Sequence, residues 1–156
     1  MYSYDIKKMS SEDIERILLL FDPYSDKPNS FRGNKELKDW PKKLSDNAMI
    51  LTCSDGNDVV GCIFYYENEF AIKNQEGYIV FFCVLPDYRR YGIASKMIQI
   101  LKSRLSSIGI PHLRIRCAKS NIAAFRLYQK MSFDIVNDDG TVYDMVSDTQ
   151  SLCQNH

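Results

Sequence analysis

A short basic turn carries the clearest chemistry in this chain. Val84-Leu85-Pro86-Asp87-Tyr88-Arg89-Arg90-Tyr91-Gly92-Ile93-Ala94-Ser95 runs out of an apolar stretch into the start of a helical one. Such a turn can aim backbone N–H groups, the guanidiniums of Arg89 and Arg90 and the positive end of a helix dipole at one place. That array suits a diphosphate. Gly92 offers a backbone conformation closed to other residues and lets a ligand come close. Ala94 is small enough not to obstruct it, and the amides of about Arg90 to Ser95 would face the phosphates. Arg89 to Ala94 fits the pattern Q/R-x-x-G-x-G/A. The pattern gains weight from its position between a buried strand and a helix. No G-x-G-x-x-G occurs, which argues against a dinucleotide site.

The elements that must position this turn are legible from periodicity. Met1 to Lys7 reads as an edge strand. Ser10 or Ser11 caps a helix with Ile14, Ile17, Leu18 and Phe21 as its apolar stripe. Residues 22–33 read as a loop, and 34–44 as a short helix broken before Pro41. Ala48–Cys53 and Asp58–Glu67 form a hairpin around Ser54-Asp55-Gly56-Asn57. After a polar loop near Asn74–Gly77, Tyr78–Leu85 is apolar throughout, as in a strand covered on both faces. Gly92–Ile108 is the clearest helix, its stripe Ile93, Met97, Ile98, Leu101, Leu105 and Ile108, with Lys102 among the residues largely opposite. Strand His112–Cys117, a helix from Ser120 or Asn121 to Lys130, and a hairpin of Phe133–Val136 and Thr141–Val146 complete the order. The result is a mixed α/β sheet with helices on both faces, in a single domain over residues 1–147 followed by a polar, frayed tail over 148–156.

Composition narrows the function. The 156 residues carry 20 basic and 20 acidic side chains. This balance gives no general pull toward nucleic acid or an anionic membrane. No apolar run reaches the ~18 residues needed to span a bilayer, and the polar N-terminus lacks the apolar core of a signal peptide. Cys53, Cys62, Cys83, Cys117 and Cys153 show no C-x-x-C spacing, so no zinc site is expected. They read as reduced thiols of a cytoplasmic protein, the first four inside apolar strands.

The turn Val84–Ala94 resembles the acetyl-CoA pyrophosphate loop of the GNAT superfamily of acyl-CoA-dependent N-acyltransferases. Asn121-Ile122-Ala123-Ala124-Phe125-Arg126-Leu127-Tyr128-Gln129-Lys130-Met131-Ser132-Phe133 resembles that family's N-x-x-A-x-x-L-Y-x-K-x-G-F. The separation of the two segments and the element order match as well. Ser132 departs from the family's glycine and is expected to alter the turn after the helix, whereas Ala94 is an accepted variant. The resemblance implies a mixed, mostly antiparallel sheet of six or seven strands with splayed central strands. It also implies acetyl-CoA as co-substrate, without a metal. The coenzyme would be held near Cys83, Val84 and Leu85, by Arg89, Arg90, Tyr91, Gly92, Ile93, Ala94 and Ser95, and by Asn121 and Tyr128.

The implied reaction moves an acetyl group from a thioester to a primary amine by direct attack in a ternary complex. It needs a donor for the oxyanion, an acid for the leaving thiolate and a route for the amine proton. Backbone amides near Cys83 to Leu85 would serve the oxyanion, the Cys83 thiol itself being packed. Tyr128 matches the acid; it lies seven residues after Asn121, on the same helix face about 10 Å away. Its other reading is a core tyrosine below Ala124. Asn121 reads as a coenzyme contact, a helix cap or both. Many family members place a Glu base on the central strands, but neither strand here carries one internally. His112 and Glu76 are the nearest titratable candidates, with Glu67 and Glu69 on the preceding strand end read as solvated.

The family's acceptor pocket would draw on Tyr24, Trp40 and Tyr65, with Asp26, Arg32 and Tyr66 nearby. Arg114 and Arg116 share a strand face, where an external ion pair is expected rather than an anionic acceptor. The acceptor is a small-molecule or peptide amine, not nucleic acid and not a membrane. Monomer and homodimer both remain open. A catalytically silent acyl-CoA-binding module or partner subunit is the alternative function, and a longer acyl donor or a hydroxyl acceptor a further one.

Overall fold

The computed structural model describes residues 1–25, 31 and 37–151. Asp26, Arg32, Cys153, the start of the expected 34–44 helix and the last residues of the tail lie outside the described residues. The chain runs β1 (Tyr2–Lys7), α1 (Ser11–Phe21), α2 (Trp40–Asn47), β2 (Met49–Asp55), β3 (Asp58–Tyr66), α3 (Glu69–Asn74), β4 (Glu76–Val84), α4 (Ile93–Ser107), β5 (His112–Ala118), α5 (Ile122–Lys130), β6 (Asp134–Asp138) and β7 (Val142–Asp148). Single 3-10 turns follow α1 at Asp22–Tyr24 and β4 at Pro86–Tyr88. The strands form a seven-stranded sheet in the order β1-β2-β3-β4-β5-β7-β6. Of the pairings with a described register, only β4 with β5 is parallel, running from Glu76↔His112 to Ile79↔Ile115. The fold is therefore mixed α/β with a mostly antiparallel sheet, as expected.

The chain divides into two compact units, one of Met1–Tyr65 with Phe81–Ala94 and the other of Tyr66–Val80 with Ser95–His156. In the first, the expected α1 stripe is buried: Ile14, Leu18 and Phe21 are at most 1% exposed, and Ser10 caps the helix by accepting from the Asp13 amide. The core adds Leu44, Ile50, Leu51, Ile63 and Phe64. Pro41 does not break α2 but sits in its first turn, where no intrahelical N–H is required of it. In the second unit Met97, Ile98, Leu101 and Leu105 of α4 are buried, as are Leu113, Ile115 and Met145.

Several expectations are corrected. The stretch before β4 is not simply a polar loop, because α3 occupies Glu69–Asn74. Asn68 caps its start through the Ala71 amide, and Gln75 closes it in the left-handed region at φ 56°. A helix this short offers no periodicity to read. The apolar β4 is not covered evenly. Ile79, Cys83 and Val84 are buried, but Tyr78, Val80, Phe81 and Phe82 are half-buried. Lys102, expected on the polar face of α4, is 1% exposed. Its ammonium donates to Met131 O at 2.6 Å, Ser147 Oγ at 2.7 Å and Ser151 Oγ at 3.1 Å. A Lys this deep is tolerated because its donors are matched to oxygens. The start of the tail is held rather than frayed, since Thr149 is buried and its hydroxyl donates to Ile110 O at 2.7 Å.

Gly77 shows how tightly β4 approaches α4. A Cβ there would come within 2.8 Å of Leu105 Cδ1 and 3.3 Å of Tyr66 O. The leucine can rotate away, but the backbone oxygen cannot. Gly77→Ala is therefore expected to destabilise the fold by about 1–3 kcal/mol, read as a lower urea midpoint with an unchanged slope.

Candidate active site

The turn after β4 is anchored within its own unit on three sides. The Leu85 amide donates to Val60 O of β3 at 2.9 Å. The Tyr88 hydroxyl donates to Asp55 Oδ2 at the end of β2 at 3.1 Å, a bond that pushes the phenol's pKa up. Arg89 reaches furthest, with Nε donating to Val84 O at 2.9 Å and Nη2 to Tyr24 O at 3.0 Å. The Cys83 thiol also donates to Tyr24 O, at 3.5 Å. Beyond these anchors the backbone turns through the left-handed region twice, at Arg90 (φ 71°) and Gly92 (φ 80°), before α4 begins at Ile93. Apart from Gly92 and its chain neighbours, no heavy atom of the described residues lies within 4 Å of the place where a Gly92 Cβ would stand. The space beside this backbone is open among the described residues, and its φ favours glycine there.

The two arginines thus part company. Arg89, read from sequence as a phosphate-facing guanidinium, is turned onto main-chain carbonyls. Arg90 and Tyr91 are exposed, and Ile93 is buried. The first amides of α4, from Ile93 through Ser95, belong to the helix turn whose N–H groups have no acceptor inside the helix. With the dipole of a 15-residue helix behind them they favour an anion. Val84 and Cys83 are buried, and Cys53, Cys62, Cys83 and Cys117 form no disulfide among the described residues. Cys62 is pushed up by burial, in keeping with a packing role for these cysteines.

Tyr24, Trp40 and Tyr65 belong to the same unit but are placed differently. Tyr24 is 46% exposed, beside the Arg89 bridge. Trp40 stands between Phe31 and Phe81, with ring centroids 6.3 Å from each. The Asp22 carboxylate accepts from the Phe31 amide at 2.9 Å and so fixes the other end of that loop. Tyr65 is fully buried and packs in the core instead of lining an open pocket. Strand pleat sends the adjacent Tyr65 and Tyr66 side chains to opposite faces, and Tyr66 is half-buried.

In the second unit, Asn121 caps α5 by accepting from the Ala124 amide at 3.1 Å. Tyr128 is 7% exposed, its ring 5.7 Å from that of Phe133. Ser132 keeps a left-handed conformation at φ 69°. The turn is therefore one that glycine would form freely, and the serine holds it at a cost of about 1–2 kcal/mol. Its carbonyl accepts from Ser147 Oγ at 2.9 Å.

Glu76 and His112 are directly opposed in the parallel register of β4 and β5. His112 is exposed, but Glu76 accepts from Arg114 Nε at 2.6 Å. Glu67, expected to be solvated, has a side chain only 9% exposed and takes a two-pronged contact from Arg104, the shortest at 2.9 Å. Arg116 pairs with Asp139 at 3.0 Å and Asp144 at 3.2 Å. Both strand arginines are thus in ion pairs, which leaves less to attract an anionic acceptor. Tyr66 and Tyr78, with rings 6.5 Å apart, both have phenols pushed up by burial. They therefore stay protonated through neutral pH and cannot act as bases there.

No described helix is long and apolar enough to cross a membrane. Comparison with known proteins agrees with the geometry. The chain is 24% identical over 138 residues to the acetyltransferase SG1711 of Sodalis glossinidius, covering 84% of this chain and 87% of that one. It is 34% identical over 80 residues to the chloroplastic GCN5-related N-acetyltransferase 6 of Arabidopsis thaliana, which is 51% of this chain but only 27% of that protein. Its structure is similar to that of the PaiA N-acetyltransferase of Thermoplasma acidophilum in complex with coenzyme A. The TM-score there is 0.72 at 18% identity, over 94% of this chain and 99% of that one. The family model described as the acetyltransferase (GNAT) family matches residues 13–133, and the chain belongs to that family of acyl-CoA-dependent N-acyltransferases.

Proposed function

We propose that this protein transfers an acetyl group from acetyl-CoA to a primary amine carried by a small molecule or a peptide. The observation that carries the reading is the open, doubly left-handed turn at Arg90 and Gly92 on the threshold of α4. That backbone, with the α4 dipole and the Arg90 guanidinium, fits the diphosphate of a coenzyme A. Acetyl-CoA supplies an activated acyl carbon, and the rest of the chemistry falls to the chain. A C–N bond forms as the C–S bond breaks. Tyr128 is assigned the proton that the departing sulfur takes up, and Asn121 is assigned a coenzyme contact beside its capping role.

The amine's own proton needs another route. Glu76 and Glu67 are both committed to arginines, so His112, or water beside it, is the better acceptor. The Glu76–Arg114 ion pair favours the alternative of an acyl-CoA-binding module without turnover, since it engages the carboxylate named as a candidate base.

Thioester cleavage distinguishes the two. Free thiol released from acetyl-CoA in the presence of pooled amines is expected from the wild type. Tyr128→Phe should lower that rate by about a hundredfold or more, a far larger factor than its loss of coenzyme affinity. Tight coenzyme A binding with no thiol release from the wild type would establish the silent module instead.

The loop gives a second expectation. Arg90→Ala should weaken coenzyme A binding by about 1–3 kcal/mol, and Gly92→Val by more, because it adds strain at φ 80° and fills the open space. Calorimetric titration with coenzyme A checks both, and unchanged affinity in the pair would place the site elsewhere.

A further inference from the structure

We propose that Arg89 is a positioning residue and not a phosphate ligand: its guanidinium fastens the coenzyme loop to the turn that ends α1, so that the loop and the exposed Tyr24 are set together. The proposal rests on the reading of this loop as a coenzyme A site. Nε and Nη2 of Arg89 donate to two carbonyls far apart in sequence, Val84 O at 2.9 Å and Tyr24 O at 3.0 Å. Val84 O lies at the last residue of β4, and Tyr24 O at the last residue of the 3-10 turn after α1. A planar guanidinium spans two fixed acceptors with little further loss of freedom, which a single ammonium does not reproduce.

The surroundings make Tyr24 O a junction. It also accepts the Cys83 thiol at 3.5 Å, so two residues flanking the bend hold the same oxygen. The turn that presents it is itself held. The Ser25 hydroxyl donates to Asp22 O at 3.1 Å, and the Asp22 carboxylate accepts from the Phe31 amide. Phe31 in turn meets Trp40, whose ring meets Phe81 of β4. A continuous set of contacts thus runs from Arg89, next to the left-handed turn at Arg90, through the turn at Tyr24 to Phe31, Trp40 and Phe81. Arg90 is exposed as well.

The test separates a brace from a charge. Coenzyme A affinity is measured for wild type, Arg89→Lys, Arg89→Gln and Arg90→Ala, along with hydrogen–deuterium exchange of peptides covering residues 22–25 in the absence of ligand. A brace predicts that Arg89→Lys, though still cationic, binds about tenfold more weakly, close to Arg89→Gln, with melting temperatures near wild type. It also predicts faster exchange at 22–25 in both Arg89 variants and wild-type exchange there in Arg90→Ala. Restoration of affinity by Arg89→Lys would show that only the charge matters and overturn the proposal. So would unchanged exchange at 22–25 in Arg89→Gln, or an equal increase in Arg90→Ala. Failure of the wild type to bind coenzyme A would instead sink the functional reading, and the exchange comparison would then decide the brace alone.

Discussion

Two residues in the left-handed region, separated by a single tyrosine, are the constraint on which the proposed site depends. Arg90 and Gly92 carry the backbone from the 3-10 turn after β4 into the start of α4. Such a turn is uphill for a non-glycine residue by about 1–2 kcal/mol and persists only where its flanks are held. Here the flanks are held by the Leu85 amide on β3, the Tyr88 hydroxyl on β2 and the Arg89 guanidinium on Val84 and Tyr24. The strain is local and the restraint is distributed, which is the arrangement expected of a preorganised anion site.

The second unit is organised by charge placed close to backbone. Glu67 and Glu76 lie on either side of α3, and each is gripped by an arginine from the segment that follows residue 95, Arg104 on α4 and Arg114 on β5. Lys102, on the buried side of the same helix, ties together the end of α5 and the start of the tail through Met131, Ser147 and Ser151. These side chains hold the frame. Tyr128 is nearly closed off, whereas His112 is exposed.

Much of this was legible beforehand, for identifiable reasons. The stripes of α1 and α4 were readable because a helix buries one face with a period that few alternatives mimic, and the hairpin of β2 and β3 because Gly56 marks its turn. The turn at Gly92 was readable because its glycine answers to a backbone requirement. Other features hid. The six residues of α3 are too few to show a period, and only Asn68 and Gln75 at its ends betray it. Tyr65 and Tyr66 look alike in sequence and differ by a strand face.

Residue types and spacing by themselves carried the family resemblance, most of the order of elements and the place of the glycine turn before α4, since each depends on local backbone preference and on periodic burial. Tertiary structure alone decided what the polar side chains do. Arg89 turned back onto carbonyls, Arg104 and Arg114 onto glutamates, and Lys102 into the interior. A long charged side chain can reach many partners with similar ease, and only packing settles which donors and acceptors lie within about 3 Å of it.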